Sequence, residues 1–468
     1  MNILFASSEV APWSKTGGLG DVAAALPRAL ARLGHEVVVV TPLYGCVDRT
    51  GLAATGEKAL GVPILAARPA DRLTVAFLDH PDFFANRTSL YGEHGKDYPD
   101  NAARFHFLCR ALPEAARALG QDRTDVVHLN DWQTGLAALE LARTRGLRPG
   151  FTRCVMTIHN LGYQGLFDAR VVEELGLGWD SFTPDGLEFW GRANFLKAGI
   201  AFADRITTVS PTYAREIQTY EQGFGLDGLL RARSDRLHGI LNGVDTAEWN
   251  PAADPHLPAR YTAEDLSGKA MCREKLCREL GVEASGRMLV GMVSRIAGQK
   301  GFDILLEAID RLLARDVSLA ILGSGEPALV EALQAARARW PGRIGLKVGF
   351  DEGFAHRIEA GADAFLMPSR YEPCGLNQMY SLRYGTVPIV RRTGGLADTV
   401  EESPHGTGFL IPSHHAVELL AAVDRALEVF ADPERWRALQ RRGMAEDHSW
   451  DRAAAEYEAV YRQALAAG

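Results

Sequence analysis

The chain is poor in cysteine, has no surplus of positive charge and contains no long apolar run, and each absence removes a class of protein. Six cysteines are scattered through 468 residues without a CxxC pair or a Cys/His cluster at zinc spacing, which excludes a disulfide scaffold or zinc module and fits a reducing compartment. Acids outnumber bases, 59 against 51, and the two are interspersed, so no electrostatic footprint for nucleic acid or an anionic membrane is present. No uninterrupted apolar stretch is long enough to span a bilayer, and "MNILFASSEV" opens without the basic segment of an export signal. A cytoplasmic protein without membrane or nucleic-acid partners is the expectation. Metal motifs are missing too: there is no HExxH, no EF-hand loop and no DxD at a strand end, so no metal and no cofactor are expected.

What is present is an alternation. Short β-branched runs such as "NILFAS", "EVVVVTP", "DVVHLN", "CVMTIHN" and "RITTVS", then "MLVGMVSR", "SLAILGSG", "GLKVGF", "AFLMPS" and "TVPIVRR", are separated by helical stretches. Strands buried on both faces and alternating with helices predict doubly wound parallel sheets, and the chain is too long for one core. The pattern predicts two Rossmann-like α/β domains, 1–241 and 242–449, with a Pro- and Asn-rich hinge from Asn242 and an Ala-rich amphipathic helix over 450–468. Such domains gather functional groups in loops at the carboxyl ends of their strands, here expected to line a cleft between the two.

The unusual short stretches occupy those loops. "SKTGGLGDV" predicts a helix beginning at Asp21 behind a loop in which Gly17 and Gly18 allow close backbone approach and positive φ. That geometry offers amide groups to an anion, with Lys15 adding a full charge. Pro27, inside the same helix, is an anomaly. The tetrapeptide returns as "TGGLADTV", Thr393–Val400, without the lysine, and is expected to pack around a bound ligand. "VSRIAGQKGFD" sets Arg295 and Lys300 at a strand end before a helix, a pair of cations suited to a diphosphate. In "PSRYEPCGLNQMYSLRYGT", Glu372 can hold sugar hydroxyls and the amides of Gly375, Leu376 and Asn377 can receive phosphate oxygens. Cys374 has no neighbouring base in sequence and reads as packing or a ligand contact. "HLNDWQ" and "TIHNLGYQG" place Asp131, Trp132, His159 and Asn160 at two strand ends, hydrogen-bonding groups with an aromatic platform, and Tyr91 stands in a polar loop within reach of a sugar.

Taken in order, Lys15-Thr16-Gly17-Gly18-Leu19, "HLNDWQ", "TIHN", "LNGVD", "SRIAGQKGFD", "RYEPCGLNQMYSLRYGT" and "TGGLADTV" resemble bacterial glycogen synthases and their plant starch synthase relatives, and the likeness runs the length of the chain. The resemblance implies a GT-B glycosyltransferase that moves glucose, with retention of anomeric configuration, from ADP-glucose to the non-reducing end 4-hydroxyl of an α-1,4-glucan. It implies donor contacts for Lys15, Gly17, Gly18, Asp21, Arg295, Lys300, Gly375, Leu376, Asn377 and Tyr380, with the adenine at Gly349 and Phe350. Glu372, Cys374, His159, Asn242 and Trp132 would surround the transferred glucose, with Tyr91, Asp131 and Asn160 toward the acceptor. It also implies a final helix crossing back to the first domain.

Two positions depart from the wider pattern. Asn377 stands where many bacterial members have Thr, and Tyr380 stands where the broader GT-B pattern has a second Glu, which removes an obvious ribose-binding carboxylate and agrees with the glycogen and starch synthase branch. A UDP-glucose donor and a catalytically silent glucan-binding protein remain alternatives. An NAD-dependent oxidoreductase is disfavoured because neither glycine loop reads GxGxxG. Front-face attack and a covalent intermediate are both compatible with retention.

Overall fold

A computed structural model describes residues 1–93, 95–144 and 151–466, which divide into two compact units: Met1–Gly243 together with the segment from Trp450 onward, and Val244–Ser449. The division places Asn242 at the end of the first unit, two residues beyond the boundary read from sequence.

The first unit is built on a nine-stranded sheet. Seven of its strands are parallel: Asn2–Ala6, Glu36–Pro42, Leu73–Leu78, Thr124–Asn130, Phe151–Ile158, Arg205–Thr208 and Leu237–Gly239. Numbered in chain order they lie 7-6-5-4-1-2-3 across the sheet, and the antiparallel strands Val62–Ala70 and Ala53–Ala59 extend the edge beyond the third. The second unit has a six-stranded, wholly parallel sheet of Met288–Val293, Val317–Gly323, Ile344–Val348, Ala364–Met367, Val387–Arg391 and Phe409–Ile411, in the order 3-2-1-4-5-6. Both sheets therefore reverse direction between their first and fourth strands. At that switch point the flanking loops diverge, which leaves a crevice at the strands' carboxyl ends.

Burial explains why these runs read as continuous apolar stretches. In the second unit Met288, Val290 and Met292 face one core, while Leu289 faces another with Ala320, Leu322 and Phe354, so alternate residues of one strand are buried on opposite faces. All ten runs picked out in the sequence form strands. Leu73–Leu78, "LTVAFL", is a further strand of the same apolar kind, and the short terminal strands Leu237–Gly239 and Phe409–Ile411 carry too little pattern to stand out in the sequence.

The helix Gly18–Arg32 runs unbroken through the buried Pro27. The last helix, Trp450–Ala466, packs on the first unit: the Tyr461 hydroxyl bonds His128 Nδ1 at 2.7 Å, Arg153 donates to the Ala464 carbonyl at 2.9 Å, and Arg32 pairs with Asp451. Within the second unit the entering and leaving segments lie side by side, with the Val244 amide donating to the His448 carbonyl at 2.7 Å. Among the described residues no helix is long and apolar enough to cross a membrane.

Candidate active site

In each unit most of the predicted residues lie in loops at the carboxyl ends of the strands, several of them at the switch point, whereas Asn242 and the Gly349-Phe350 pair follow edge strands. In the first, the strand Asn2–Ala6 runs into Ser7, Ser8 and Glu9. Glu9 is 3% exposed and accepts from the Thr16 amide and hydroxyl, each at 2.6 Å, and from the Tyr91 hydroxyl, also at 2.6 Å. This carboxylate, unnoticed in the sequence although "SSEV" directly follows the first strand, sets the shape of the glycine loop. Tyr91 also shares a 2.9 Å hydrogen bond with Ser8, and burial raises its phenol well above its ordinary range.

The loop itself differs from the sequence reading. The helix starts at Gly18 rather than Asp21, and Gly17 is extended, with φ −162°, so it adopts no left-handed conformation. Its α-carbon faces open space: an added Cβ would meet nothing within 4 Å. Lys15 forms a 2.7 Å ion pair with Asp21 in the helix's first turn, which ties the two predicted donor residues together.

Across the switch point, the strand Thr124–Asn130 ends in Asp131, whose φ of 54° turns the chain at that point. Asp131 accepts the His159 amide at 2.8 Å, and His159 Nε2 bonds Asn130 Oδ1 at 2.9 Å. Desolvation dominates both side chains. It pushes the Asp131 carboxyl up to about 7 against the pull of two backbone amides, and lowers the His159 imidazole to about 3, so burial shifts both side chains toward their neutral forms. Asn160 Oδ1 accepts the Gly162 amide at 3.0 Å. Trp132 packs edge-on against Phe105, with ring centroids 5.0 Å apart, and an added Cβ on Gly165 would lie 2.5 Å from its indole, so one face is already covered by that glycine. Asn242 is 7% exposed, and its Oδ1 has no hydrogen-bond partner among the described residues.

The second unit presents charge instead. The strand Met288–Val293 leads to Arg295, which donates to Gln299 at 2.9 Å, and then to Lys300. Gly301, with φ 80°, makes the turn into the helix Phe302–Leu313, and an added Cβ there would lie 2.1 Å from the Pro368 carbonyl oxygen. This glycine thereby brings the loop carrying Lys300 against the one carrying Glu372. The two side chains form an ion pair of 2.6 Å, with Glu372 only 8% exposed and also accepting the Ser369 hydroxyl at 3.1 Å. Cys374 is buried. Gly375 takes φ 72°, and the helix Asn377–Arg383 follows directly. The Asn377 amide group donates to the Val293 carbonyl at 2.9 Å, a strut between this helix and the strand leading to Arg295.

The second glycine loop packs hard on this turn. A Cβ on Gly394 would lie 1.8 Å from the Glu372 carbonyl oxygen, and one on Gly395 would lie 2.1 Å from that of Cys374. Gly349, with φ 134°, and Phe350, 86% exposed, follow the strand Ile344–Val348 at its carboxyl end. Tyr380 stacks on Trp249 with centroids 3.7 Å apart, so one face of its ring is committed to packing. Among the described residues no three His, Cys, Asp or Glu side chains gather as a metal site would need.

Two Rossmann-ordered units, one with a hydrogen-bonding switch point and one with a charged switch point, define the GT-B class of glycosyltransferase. Comparison with known proteins agrees. Residues 2–232 match the starch synthase catalytic domain family and residues 287–429 the glycosyl transferases group 1 family. The chain is 56% identical to the glycogen synthase of Anaeromyxobacter sp. (strain Fw109-5) over 100% of both chains, and 54% identical to that of Myxococcus xanthus, again over 100% of both. Among solved structures, the catalytic domain of starch synthase IV from Arabidopsis thaliana matches with a TM-score of 0.89 and 34% identity, covering 99% of each chain. The chain belongs to the glycogen and starch synthase family.

Proposed function

We propose that the protein is a cytoplasmic, metal-free glycogen synthase that transfers glucose from ADP-glucose, with retention, to the non-reducing end 4-hydroxyl of an α-1,4-glucan and releases ADP. The observation that carries this reading is the 2.6 Å Lys300–Glu372 pair at the second switch point, beside Arg295 and the turn at Gly375. As the bond from glucose to the diphosphate breaks, negative charge grows on the leaving oxygen, and Arg295 and Lys300 stabilise it, with the amides of Gly375, Leu376 and Asn377 receiving phosphate oxygens. Glu372 orients the sugar, Cys374 contacts it, and Lys300 is pre-positioned by its pairing with Glu372. The starch synthase IV domain is bound to ADP and acarbose, and we carry the ADP to this chain as its nucleotide, with the adenine against Phe350.

The first unit supplies the groups for hydroxyls. His159, neutral near pH 7, hydrogen-bonds the transferred glucose without adding charge that would oppose the developing oxocarbenium. The unpaired Oδ1 of Asn242 accepts from a sugar hydroxyl, Trp132 offers its free surface to the ring, and Tyr91, Asp131 and Asn160 hold the acceptor end. Lys15, Gly17, Gly18 and Asp21 face the donor's phosphates, and Tyr380, on the helix that follows Gly375, joins the donor side with one face of its ring braced by Trp249.

The test is nucleotide release from ADP-glucose and from UDP-glucose, with and without glycogen, in the unaltered protein, Lys300→Ala and Glu372→Ala. Acceptor-dependent release from ADP-glucose that both substitutions reduce by about a hundredfold or more is the expected result. Release from UDP-glucose alone overturns the donor, and no acceptor-dependent release from either overturns the activity.

A further inference from the structure

Two turns in the first unit break the same rule. The hairpin strands Glu188–Phe189 and Arg192–Asn194 are joined by Trp190 and Gly191, whose φ values are 52° and 76°. Further along the chain, the Leu226 amide closes a turn on the Gly223 carbonyl at 2.8 Å, and its central residues Phe224 and Gly225 have φ values of 48° and 81°. Positive φ at both central positions is the pattern of a type I′ turn, where Asn-Gly or Asp-Gly is favoured and a bulky first residue is strained. Here a tryptophan and a phenylalanine occupy the strained position in turn.

The tips of these turns meet. A Cβ on Gly225 would lie 2.9 Å from the Phe189 ring and 3.7 Å from Trp190 Nε1, so only glycine lets them approach so closely. Trp190 is nevertheless 84% exposed, Phe224 40% and the nearby Tyr220 86%. Strain and exposed aromatic surface are both unfavourable to folding, and their coincidence at one spot points to a ligand.

The platform is anchored from beneath. Lys197, 6% exposed, donates its ammonium to the carbonyls of Pro184 and Glu188, fixing the hairpin's base, and Glu188 accepts the Gly191 amide at 2.7 Å. Gln164, 7% exposed, is the hub: it accepts from Asn194 at 2.8 Å and donates to the carbonyls of Phe224 at 3.1 Å and Leu161 at 3.2 Å. Leu161 belongs to the same strand-end loop as His159 and Asn160. The aromatic turns are thus tied, through one buried side chain, to the loop assigned to the acceptor.

We propose that Trp190 and Phe224, on these twin turns, form an accessory binding site for the α-1,4-glucan chain, stacking on its sugar rings beyond the reacting end. This rests on the functional reading above, because a polymeric acceptor must lie across surface outside the reaction site. Flat apolar ring faces of glucose stack on exposed indole and phenyl groups, and Tyr220 together with the polar Glu221 and Gln222 beside it can meet the ring hydroxyls.

The experiment uses Trp190→Asn, Phe224→Asn and the double variant in the full chain. Asn is the favoured residue at the first central position of such a turn, so these changes remove the rings while relieving the backbone. Glycogen affinity is read by retardation in native gels, and the KM for glycogen is compared with that for maltotriose in the nucleotide-release assay. The double variant is expected to bind glycogen roughly three- to tenfold more weakly and to raise the glycogen-to-maltotriose KM ratio by a similar factor. Unchanged retardation overturns the site. A change in self-association by sedimentation with glycogen affinity intact overturns it as well, because the surface is then an interface between copies. If the unaltered protein releases no nucleotide, the synthase reading fails on its own, and the retardation of the variants against unaltered protein still decides whether this surface binds glucan.

Discussion

The same four residues, Thr-Gly-Gly-Leu, appear at positions 16–19 and 393–396 and do opposite things. In the first loop Gly17 is extended and borders open space, and the loop's shape comes from outside it, from the buried carboxylate of Glu9. In the second loop both glycines are wedged against backbone, Gly394 with φ 43°, and the turn they press on carries Glu372 and Cys374. One loop keeps glycine to leave room for something else; the other keeps it because the protein fills the room. The contrast extends to the chemistry beside each loop. Burial holds Asp131 and His159 toward their neutral forms in the first unit, whereas the second unit places a cation and a carboxylate in direct contact. Neutral donors and acceptors suit hydroxyls, and fixed charge suits a leaving diphosphate.

The largest expected effect separates the loops by volume. Gly394→Ala must displace the Glu372 carbonyl and strain a left-handed residue, so we expect a loss of about 2–4 kcal/mol in urea unfolding and loss of nucleotide release. Full activity in that variant would refute the packing role of the second loop. Lys300→Ala tests the charged switch point: it leaves a nearly buried carboxylate without its cation and should lower kcat by about 10²- to 10³-fold. Lys15→Ala removes a cation that is 38% exposed and already shared with Asp21, so it should raise the donor KM by about tenfold or less. A loss in Lys15→Ala equal to that in Lys300→Ala would erase the distinction between the loops.

Acid should weaken the first unit through its buried histidines. His128, held between Tyr461 and Thr157, is lowered by burial to about 3 from an ordinary 6.5. A lowered imidazole means that the unfolded chain takes up the proton first. The stability is therefore fully present above pH 6.5 and falls by roughly 1.4 kcal/mol per unit as pH drops toward 3. Asp131 acts in the opposite direction, because its raised carboxyl costs stability as pH rises from its unfolded range to about 7. Thermal unfolding of His128→Asn from pH 7 to pH 5 should show a shallower decline than the unaltered protein, and identical slopes would count against a neutral buried imidazole. The smallest effect belongs to Gly17→Ala. With an extended backbone and no neighbour within 4 Å, it should shift stability by less than about 1 kcal/mol, and a collapse comparable to Gly394→Ala would show that the first loop is closed after all.

Much of this was legible without coordinates. Both doubly wound units follow from strand runs apolar on both faces, because only a sheet covered on both sides makes such a run favourable. The strand-end motifs follow because parallel sheets bring those ends to one edge, and Arg295, Lys300 and Glu372 could be picked out by position alone. Glu9 and Gln164 were not legible: each is one polar residue in a short loop, and its importance lies in partners distant in sequence, Tyr91 for the one and Phe224 for the other.

The linear sequence by itself determined the class of fold and the family, since hydrophobic period and local motifs are properties of neighbouring residues. Tertiary structure decided what each repeated or ordinary residue is for. Whether a glycine faces emptiness or a carbonyl at 1.8 Å, whether a carboxyl stays charged, and whether two aromatic turns touch are all set by through-space packing and desolvation. Those quantities depend on which residues meet, and the order of the chain does not record the meetings.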